Sequence, residues 1–258
     1  MSTRLVPLFD ERAMLVETSP DRVLVAGDLH LGMERELRKD GVHGIEETEG
    51  LIAHLGELAA EERVDRVLLL GDVKHTLGAW EPEKRALSGL AELPVPVEVV
   101  PGNHDGEIDE IAPFLKIHDA RGLTIGEVGF LHGHTWPNEE ITDGGRLVLS
   151  HNHPHVALRD GLGQVSTEPC WVRAPIPDSE ANRERYPDAD LPGEAVLVPA
   201  FNPLLGGVAL NRPEDEALGP LLTNDVIDLG AGRVYTLDGV ELGTIADLEE
   251  RLDDDDVR

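Results

Sequence analysis

Short apolar runs alternate with polar stretches rich in glycine and proline, a pattern that predicts a mixed α/β chain. Residues 4–8 and 13–16 predict a small hairpin, and residues 22–26 within "DRVLVAGDLH" form a run typical of a buried strand. Residues 46–62 predict a helix, because apolar side chains recur along one face. That face consists of Leu51, Ile52, Leu55, Leu58 and Ala59.

The middle of the chain continues this alternation. "DRVLLLGD" repeats the pattern of the first buried strand, a helix is predicted around residues 83–92, and Val95 to Val100 predict another strand. "LTIGEVGFLHGHTW" predicts two strands, and "GRLVLSHNHPH" predicts one more.

The last third predicts further strands and one loop. The strands are expected near residues 155–159, 169–174 and 195–201. Residues 175–194 are polar and punctuated by proline, so they predict a surface loop. Asp238-Gly239 suits a hairpin turn, and residues 244–258 predict a C-terminal helix with an acidic tail. Because neither a repeat nor a boundary is visible, residues 1–258 are predicted to form one domain.

Five of the predicted strands end in side chains that bind metals or move protons. The stretches are Gly27-Asp28-Leu29-His30, Gly71-Asp72, Asn103-His104-Asp105, His132-Gly133-His134, and His151 with His153 and His155. One such end is explained equally well as a turn, since Asn, Asp and Gly favour turns. Five in succession indicate a common destination, because strands of one sheet share an edge.

The residue types at these ends suit a metal centre. In Asp28-x-His30 and His151-x-His153 the two side chains are two residues apart, so each pair can point the same way from an extended segment. Carboxylates combined with imidazoles suit Mn²⁺, Fe or Zn²⁺. Two such ions about 3.5–4 Å apart are a known device for hydrolysing phosphoryl groups.

The ordered set of motifs over residues 28–153 resembles the calcineurin-like metallophosphoesterases. The resemblance implies a four-layer α/β/β/α sandwich of two mixed β-sheets. It implies a first metal ion bound by Asp28, His30 and His153, and a second bound by Asn103, His132 and His151. Asp72 would bridge the two ions, which hold an attacking hydroxide. His104 would face the scissile phosphate and protonate the leaving group, while Asp105 orients its ring.

Two further stretches resemble a subgroup related to the nuclease subunit Mre11. They are "DLHLGMERELRKDG" with "GDVKH", and "VPAFNPLLGGVALN". Bacterial members of this subgroup accompany a helicase and a DNA ligase, so the resemblance implies a DNA substrate and a helicase or repair partner. The chain departs from the family at Ser150, where glycine usually precedes the last His-x-His.

Three other residues are candidates for substrate binding. The resemblance leaves His134 near the phosphate, although a purely structural role is equally compatible with the sequence. Arg35 and Arg38 follow the first motif and are candidate phosphate contacts. Glu34 lies four residues before Arg38, so a solvated ion pair on a helix face is the alternative.

The charge of the chain is strongly acidic. Asp plus Glu number 51 against 22 Lys plus Arg, for a net charge of −29, while 40% of residues are apolar. Because molar salt screens such self-repulsion, this composition resembles a protein of a salt-accumulating halophile. An ordinary acidic protein is the alternative. Cys170 has no intramolecular partner, and neither a signal peptide nor a membrane-spanning run is seen, so a cytoplasmic protein is expected.

These observations leave three functions to compare. The first is a two-metal phosphodiesterase, a DNA nuclease linked to repair, with Mn²⁺ as the favoured metal and Fe, Zn²⁺ or Ni²⁺ as alternatives. The second is a phosphatase or phosphodiesterase for a small nucleotide or phosphomonoester. The third is a scaffold without activity, which the presence of Asn103, His104 and Asp105 disfavours. A net charge of −29 argues against a broad DNA-binding face, although molar salt weakens that argument.

Overall fold

The computed structural model describes residues 3–39, 41, 47–76, 81–142, 145–188 and 190–254. The first of its two sheets has six strands in chain order. They are β1 (Arg4–Leu8), β2 (Ala13–Glu17), β3 (Arg22–Ala26), β4 (Arg66–Leu70), β5 (Val97–Val100) and β6 (Lys116–Ile117). β1 to β3 are antiparallel neighbours and β3 to β6 are parallel, so this sheet is mixed.

The second sheet has eight strands in the order β14-β13-β11-β12-β9-β8-β7, with β10 paired to β11. They are β7 (Leu123–Ile125), β8 (Val128–Leu131), β9 (Arg146–Leu149), β10 (His155–Arg159), β11 (Val165–Pro175), β12 (Glu194–Leu197), β13 (Arg233–Thr236) and β14 (Glu241–Thr244). β8, β9 and β12 run parallel to their neighbours in this group, and the other pairings are antiparallel.

Helices cover the outer faces of both sheets. They are α1 (Glu34–Lys39), α2 (Glu47–Glu61), α3 (Glu81–Ser88), α4 (Ile108–Ile111), α5 (Glu180–Arg185), α6 (Pro220–Thr223) and α7 (Ile245–Asp254). None of the helices among the described residues is long and apolar enough to span a membrane.

Alternation along the strands creates three apolar layers. On β3, Leu24 points outward and packs with Leu55 of α2, whereas Val25 points inward and packs with Phe130 of the second sheet. On the far face, Leu147 packs with Leu248 of α7 and with residues of α6. The predicted four-layer α/β/β/α sandwich of two mixed sheets is therefore confirmed.

Most predicted elements are present, with shifted boundaries. The helix expected over residues 83–92 is α3 followed by a 3₁₀ turn, Gly89–Glu92, and the strand expected from Val95 is β5. β5 starts after Pro96, which has no N–H for a ladder hydrogen bond. Glu46 and the acidic tail over residues 255–258 lie outside the described residues.

The surface loop predicted over residues 175–194 is wrong in part, because it contains α5. Ser179 is the N-cap of this helix, and its hydroxyl accepts a hydrogen bond from the Asn182 N–H. The buried Asn182 side chain donates to the carbonyls of Pro177 and Val226, which anchors the helix to the body of the protein. The prediction missed it because its six residues, five of them polar, show no apolar periodicity.

A polar network lies on the first sheet around the buried side chain of Glu98. Its carboxylate oxygens lie 3.2 Å from Lys116 Nζ, 2.7 Å from His118 Nε2 and 3.8 Å from Arg66 Nη1. Burial favours the neutral acid, but hydrogen bonds with His118 and Lys116 and the positive charges of Arg66 and Lys116 outweigh burial and lower the pKa of Glu98.

Candidate metal centre

The polar strand ends of both sheets meet at one edge of the sandwich. Asp28 and Asp72 directly follow the Gly27 and Gly71 positions at the ends of β3 and β4, while His132 follows β8. The two sheets are joined there by the His151 N–H, which donates to Asp28 Oδ2 at 3.1 Å. The predicted common destination is therefore an edge shared by two sheets, and not the edge of a single sheet.

One group of candidate ligands consists of Asp28, His30 and His153, whose ligand atoms lie within 4.8 Å of one another. His153 Nε2 is 3.4 Å from Asp28 Oδ1. These two atoms and His30 Nε2 are buried and have no hydrogen-bond partner. Buried polar atoms without partners are costly, so three that converge on one point fit a bound cation.

A second group consists of Asp72, His132 and His151, again within 4.8 Å. Asn103 adjoins it, with Oδ1 3.3 Å from His132 Nε2. Asp72 Oδ2 lies 3.5 Å from His132 Nε2 and 3.4 Å from His30 Nε2, so it reaches both groups.

Backbone carbonyls fix the orientation of two of these rings. His132 Nδ1 donates to the Leu70 carbonyl at 2.8 Å, and His153 Nδ1 donates to the Gly206 carbonyl at 3.0 Å. Because each Nδ1 carries the proton, Nε2 keeps its lone pair for the interior of the site. The Ser150 hydroxyl, 3.0 Å from His132 Nδ1, donates to the same Leu70 carbonyl at 2.5 Å. Serine thus adds a side-chain support for His132 that glycine lacks.

His75 connects three parts of the site. Its Nδ1 lies 3.1 Å from His30 Nδ1, and its Nε2 lies 2.6 Å from a carboxylate oxygen of Glu36 on α1. Its backbone carbonyl accepts a hydrogen bond of 2.6 Å from His104 Nδ1. His104 also belongs to a third group of possible metal-binding side chains, together with His30 and Asp72.

The predicted contact between Asp105 and the His104 ring is wrong. The buried Asp105 carboxylate accepts hydrogen bonds from the N–H groups of Val73, Lys74 and Gly102, at 2.9, 3.2 and 2.8 Å. These donors belong to the loops after β4 and β5. Asp105 therefore ties together the loops that carry Asp72 and Asn103, and the His104 ring is oriented by the His75 carbonyl instead.

A model of the calcineurin-like phosphoesterase family matches residues 21–230. The chain is a calcineurin-like phosphoesterase. The family resemblance and the enzyme class, a metal-dependent phosphoesterase, are confirmed. The family uses divalent metal ions, and the ligand groups described above fit them.

Two solved structures are similar to this phosphoesterase. The crystal structure of Pseudomonas putida nuclease MPE matches with a TM-score of 0.55 and 19% identity, covering 93% of this chain and 100% of that one. The E. coli phosphoesterase YfcE matches with a TM-score of 0.39 and 18% identity, covering 86% of this chain and 96% of that one. At 19% identity, the likeness to nuclease MPE shows a shared fold. No curated protein matches the chain.

Electrostatic coupling within the phosphoesterase site favours a negative Asp72. Burial opposes its charge, but contacts with His132 and His30 outweigh burial and hold the pKa of Asp72 far below its usual range. Burial likewise opposes charge on His132, yet Asp72 and Asp28 raise its pKa to about 9. Burial and the neighbouring His132 lower the pKa of His151 to about 4. The site thus moves the pKa values of two neighbouring histidines in opposite directions, and a cation bound at His132 Nε2 would take the place of its second proton.

Five residues of the candidate ligand groups have left-handed backbones. Their φ angles are 56° for Asp28, 43° for His30, 48° for Asp72, 71° for His151 and 43° for His153. Among the described residues only five other non-glycine residues have a positive φ. Strained backbone concentrated at one place is typical of functional sites.

The predicted substrate-binding residues lie in two different places. His134 is half-buried beside the second group, with its ring centroid 5.3 Å from that of His132 and 6.2 Å from that of His151. Arg35 and Arg38 on α1 line a groove of about 730 Å³ that runs along α2 to the 3₁₀ turn. The Glu34 carboxylate at this groove accepts a hydrogen bond of 2.9 Å from the Thr48 hydroxyl.

Sequence reasoning missed the glycine that lets the loop after β12 reach His153. A Cβ atom on Gly207 would lie 1.8 Å from the His153 carbonyl oxygen and 1.9 Å from His155 Nδ1. Its neighbour Gly206 has open space at the same position. The only signal was the Gly-Gly pair itself within "NPLLGGVALN", which does not reveal which glycine makes a close approach.

Proposed function

We propose that this phosphoesterase is a two-metal phosphodiesterase that cleaves DNA. The observation that carries the proposal is the pair of ligand groups that share Asp72, one of which contains three buried atoms without hydrogen-bond partners. Asp28, His30 and His153 would hold the first ion, Asn103, His132 and His151 the second, and Asp72 both. When bound, such ions activate a water molecule and neutralise charge on the phosphoryl oxygens.

The chain's own residues supply the remaining chemistry. His104 Nδ1 donates to the His75 carbonyl, so Nε2 is the ring atom that can meet the leaving oxygen. A ring already protonated on Nδ1 can donate from Nε2 only as imidazolium, and this is the form in which His104 acts as the general acid. His134 would contact the phosphate from the side of the second ion.

Two lines of support favour DNA as the substrate. The protein of similar fold that covers nearly the whole chain is a nuclease. The motifs "GDVKH" and "VPAFNPLLGGVALN" resemble the Mre11-related subgroup, and through it a role in repair beside a helicase and a ligase. The net charge of −29 counts against DNA, but molar salt in the cytoplasm of a halophile would screen repulsion between this protein and DNA.

A small nucleotide or phosphomonoester is the second candidate substrate, and the same net charge of −29 favours it. A small substrate needs no broad basic surface, whereas nonspecific DNA binding normally depends on one. A substrate panel separates the two: short DNA, a nucleotide and a nitrophenyl phosphate, each in ~2–3 M KCl with added Mn²⁺. Cleavage of the small esters without cleavage of DNA would move the function to this candidate.

Elemental analysis of purified variants tests the ligand assignment directly. Asp72→Ala is expected to lose both ions, because its carboxylate reaches both ligand groups. His153→Ala is expected to lose mainly one, because it belongs to the first group only. Retention of two ions by Asp72→Ala would contradict the two-metal arrangement.

A further inference from the structure

Two arginines lie against consecutive residues of the segment that follows β8. The guanidinium carbon of Arg185, at the end of α5, is 3.7 Å from the ring centroid of Trp136. Arg121 Nη2, just before β7, donates to the carbonyl of Pro137 at 3.3 Å. Arg121 and Arg185 are 64 positions apart in the chain (185 minus 121), and the fold brings them to the neighbouring residues Pro137 and Trp136.

This pair of arginines lies close to the metal centre. Trp136 follows His134 by two residues, and two residues of extended chain span at most about 7 Å. The His134 ring in turn neighbours the rings of His132 and His151. The upper bound of about 7 Å between the backbones of His134 and Trp136 is comparable to two nucleotide steps of roughly 3.4 Å along a strand.

Their charges are not neutralised by a neighbouring acid. Both guanidinium groups are exposed, and no ion pair joins either to a carboxylate in the part of the chain that the structure describes. Both charges also act on the hydroxyl of the buried Tyr186. Burial raises the pKa of Tyr186, and the positive charges of Arg185 and Arg121 reduce that rise, whereas the carboxylate of Glu139 adds to it. Arg183, on the same helix, differs because it is paired with Asp178.

We propose that Arg121 and Arg185 form a binding site for a backbone phosphate of a nucleic-acid strand whose scissile phosphate lies at the metal centre. The proposal rests on the proposed nuclease function for the identity of its ligand. Guanidinium groups bind phosphate oxygens through paired N–H donors, and stacking on Trp136 holds Arg185 ready for that contact. A nucleoside monophosphate has a single phosphate group, which cannot lie at the metal ions and at the arginines at once, so these arginines would favour a strand.

Binding of a short fluorescein-labelled single-stranded DNA, measured by anisotropy with EDTA present, tests the site without catalysis. The double variant Arg121→Gln, Arg185→Gln is expected to bind more weakly by roughly fivefold for each arginine, the upper range for an exposed ion pair. The slope of log affinity against log salt should become shallower by about 0.7 for each phosphate that the variant no longer binds. Arg183→Gln is the matched control, because it removes an arginine of α5 that already has an acidic partner.

Equal affinity and equal salt slope in the double variant and the wild type would overturn the phosphate site. So would an equal loss in Arg183→Gln, since any positive charge on the surface would then suffice. Hydrolysis of bis(p-nitrophenyl) phosphate should keep the same kcat and KM in the double variant, whereas KM for DNA should rise. Wild-type protein that binds DNA through these arginines but never cleaves it would refute the nuclease function and leave the phosphate site standing.

Discussion

Asp105→Asn should lower the stability of the protein in the absence of metal. Asparagine has one carbonyl oxygen, which can keep the hydrogen bonds from Val73 and Lys74, but its NH₂ group must then face the Gly102 N–H. Losing a hydrogen bond to a charged acceptor and leaving its buried donor unpaired costs about 3 kcal/mol.

Part of that loss is offset by the neutrality of asparagine. Burial raises the pKa of Asp105, so the folded protein already bears a cost for the charge of this carboxylate. Relief of that cost should leave a net loss in the free energy of unfolding that is smaller than about 3 kcal/mol. The loops after β4 and β5 should also separate, and metal affinity should fall with them.

Urea denaturation with EDTA, at a salt concentration where the wild type is folded, measures this free energy. Asp160→Asn is the matched control. Its exposed carboxylate accepts hydrogen bonds from the Leu162 and Gln164 N–H groups through a single oxygen, which asparagine retains. A variant Asp105→Asn with wild-type stability and a loss of kcat alone would refute this reasoning and restore the role of Asp105 in orienting His104.

Four further outcomes follow from the structure. Gly207→Ala should displace His153 and reduce the metal content, measured by elemental analysis, whereas Gly206→Ala should keep the position of His153 and the metal content unchanged. The pKa of Glu98 is depressed in the folded protein, so the stability that this residue contributes is present above its ordinary pKa of 4.5 and is lost as pH falls below that value. Glu98→Gln should therefore lose less stability on acidification than the wild type, measured by denaturation between acid and neutral pH. An unchanged pH dependence would contradict the network around Glu98. His104→Ala should keep its metals but lose ~10²–10⁴-fold in turnover, less for a nitrophenolate leaving group that needs no proton; equal losses would argue for phosphate positioning. Circular dichroism and DNA cleavage should both increase with KCl from ~0.1 M towards molar levels, and full structure at the low end would contradict the halophile hypothesis.

The site could be predicted from the sequence to the extent that its ligands are side chains at strand ends. Asp28, Asp72 and His132 follow buried apolar runs, and the parallel strands β3 and β4 bring the first two of these ends together. The two-sheet fold was predicted from the family that the ordered motifs resemble. Apolar patterning alone does not reveal which strands share a sheet.

The supports of the site could not be predicted in the same way. Asp105 contacts the N–H groups of Val73 and Lys74, whose directions depend on how two loops some thirty residues apart fold against each other. Arg121 and Arg185 reach consecutive residues only because α5 packs against the segment after β8, and α5 itself carries no apolar period that would have indicated it.

At five candidate ligand positions, metal binding and stability favour different residues, because the backbone there is left-handed. The positions are Asp28, His30, Asp72, His151 and His153. An L-residue in this conformation costs roughly 1–2 kcal/mol relative to glycine, which adopts it freely. Replacing any of the five with glycine would therefore relieve backbone strain while removing a ligand, although glycine at Asp28 or Asp72 would also remove a hydrogen-bond acceptor. A laboratory selection for heat tolerance without a screen for activity would therefore favour substitutions that remove metal ligands. The selected variants would be more stable and would no longer hydrolyse phosphoesters.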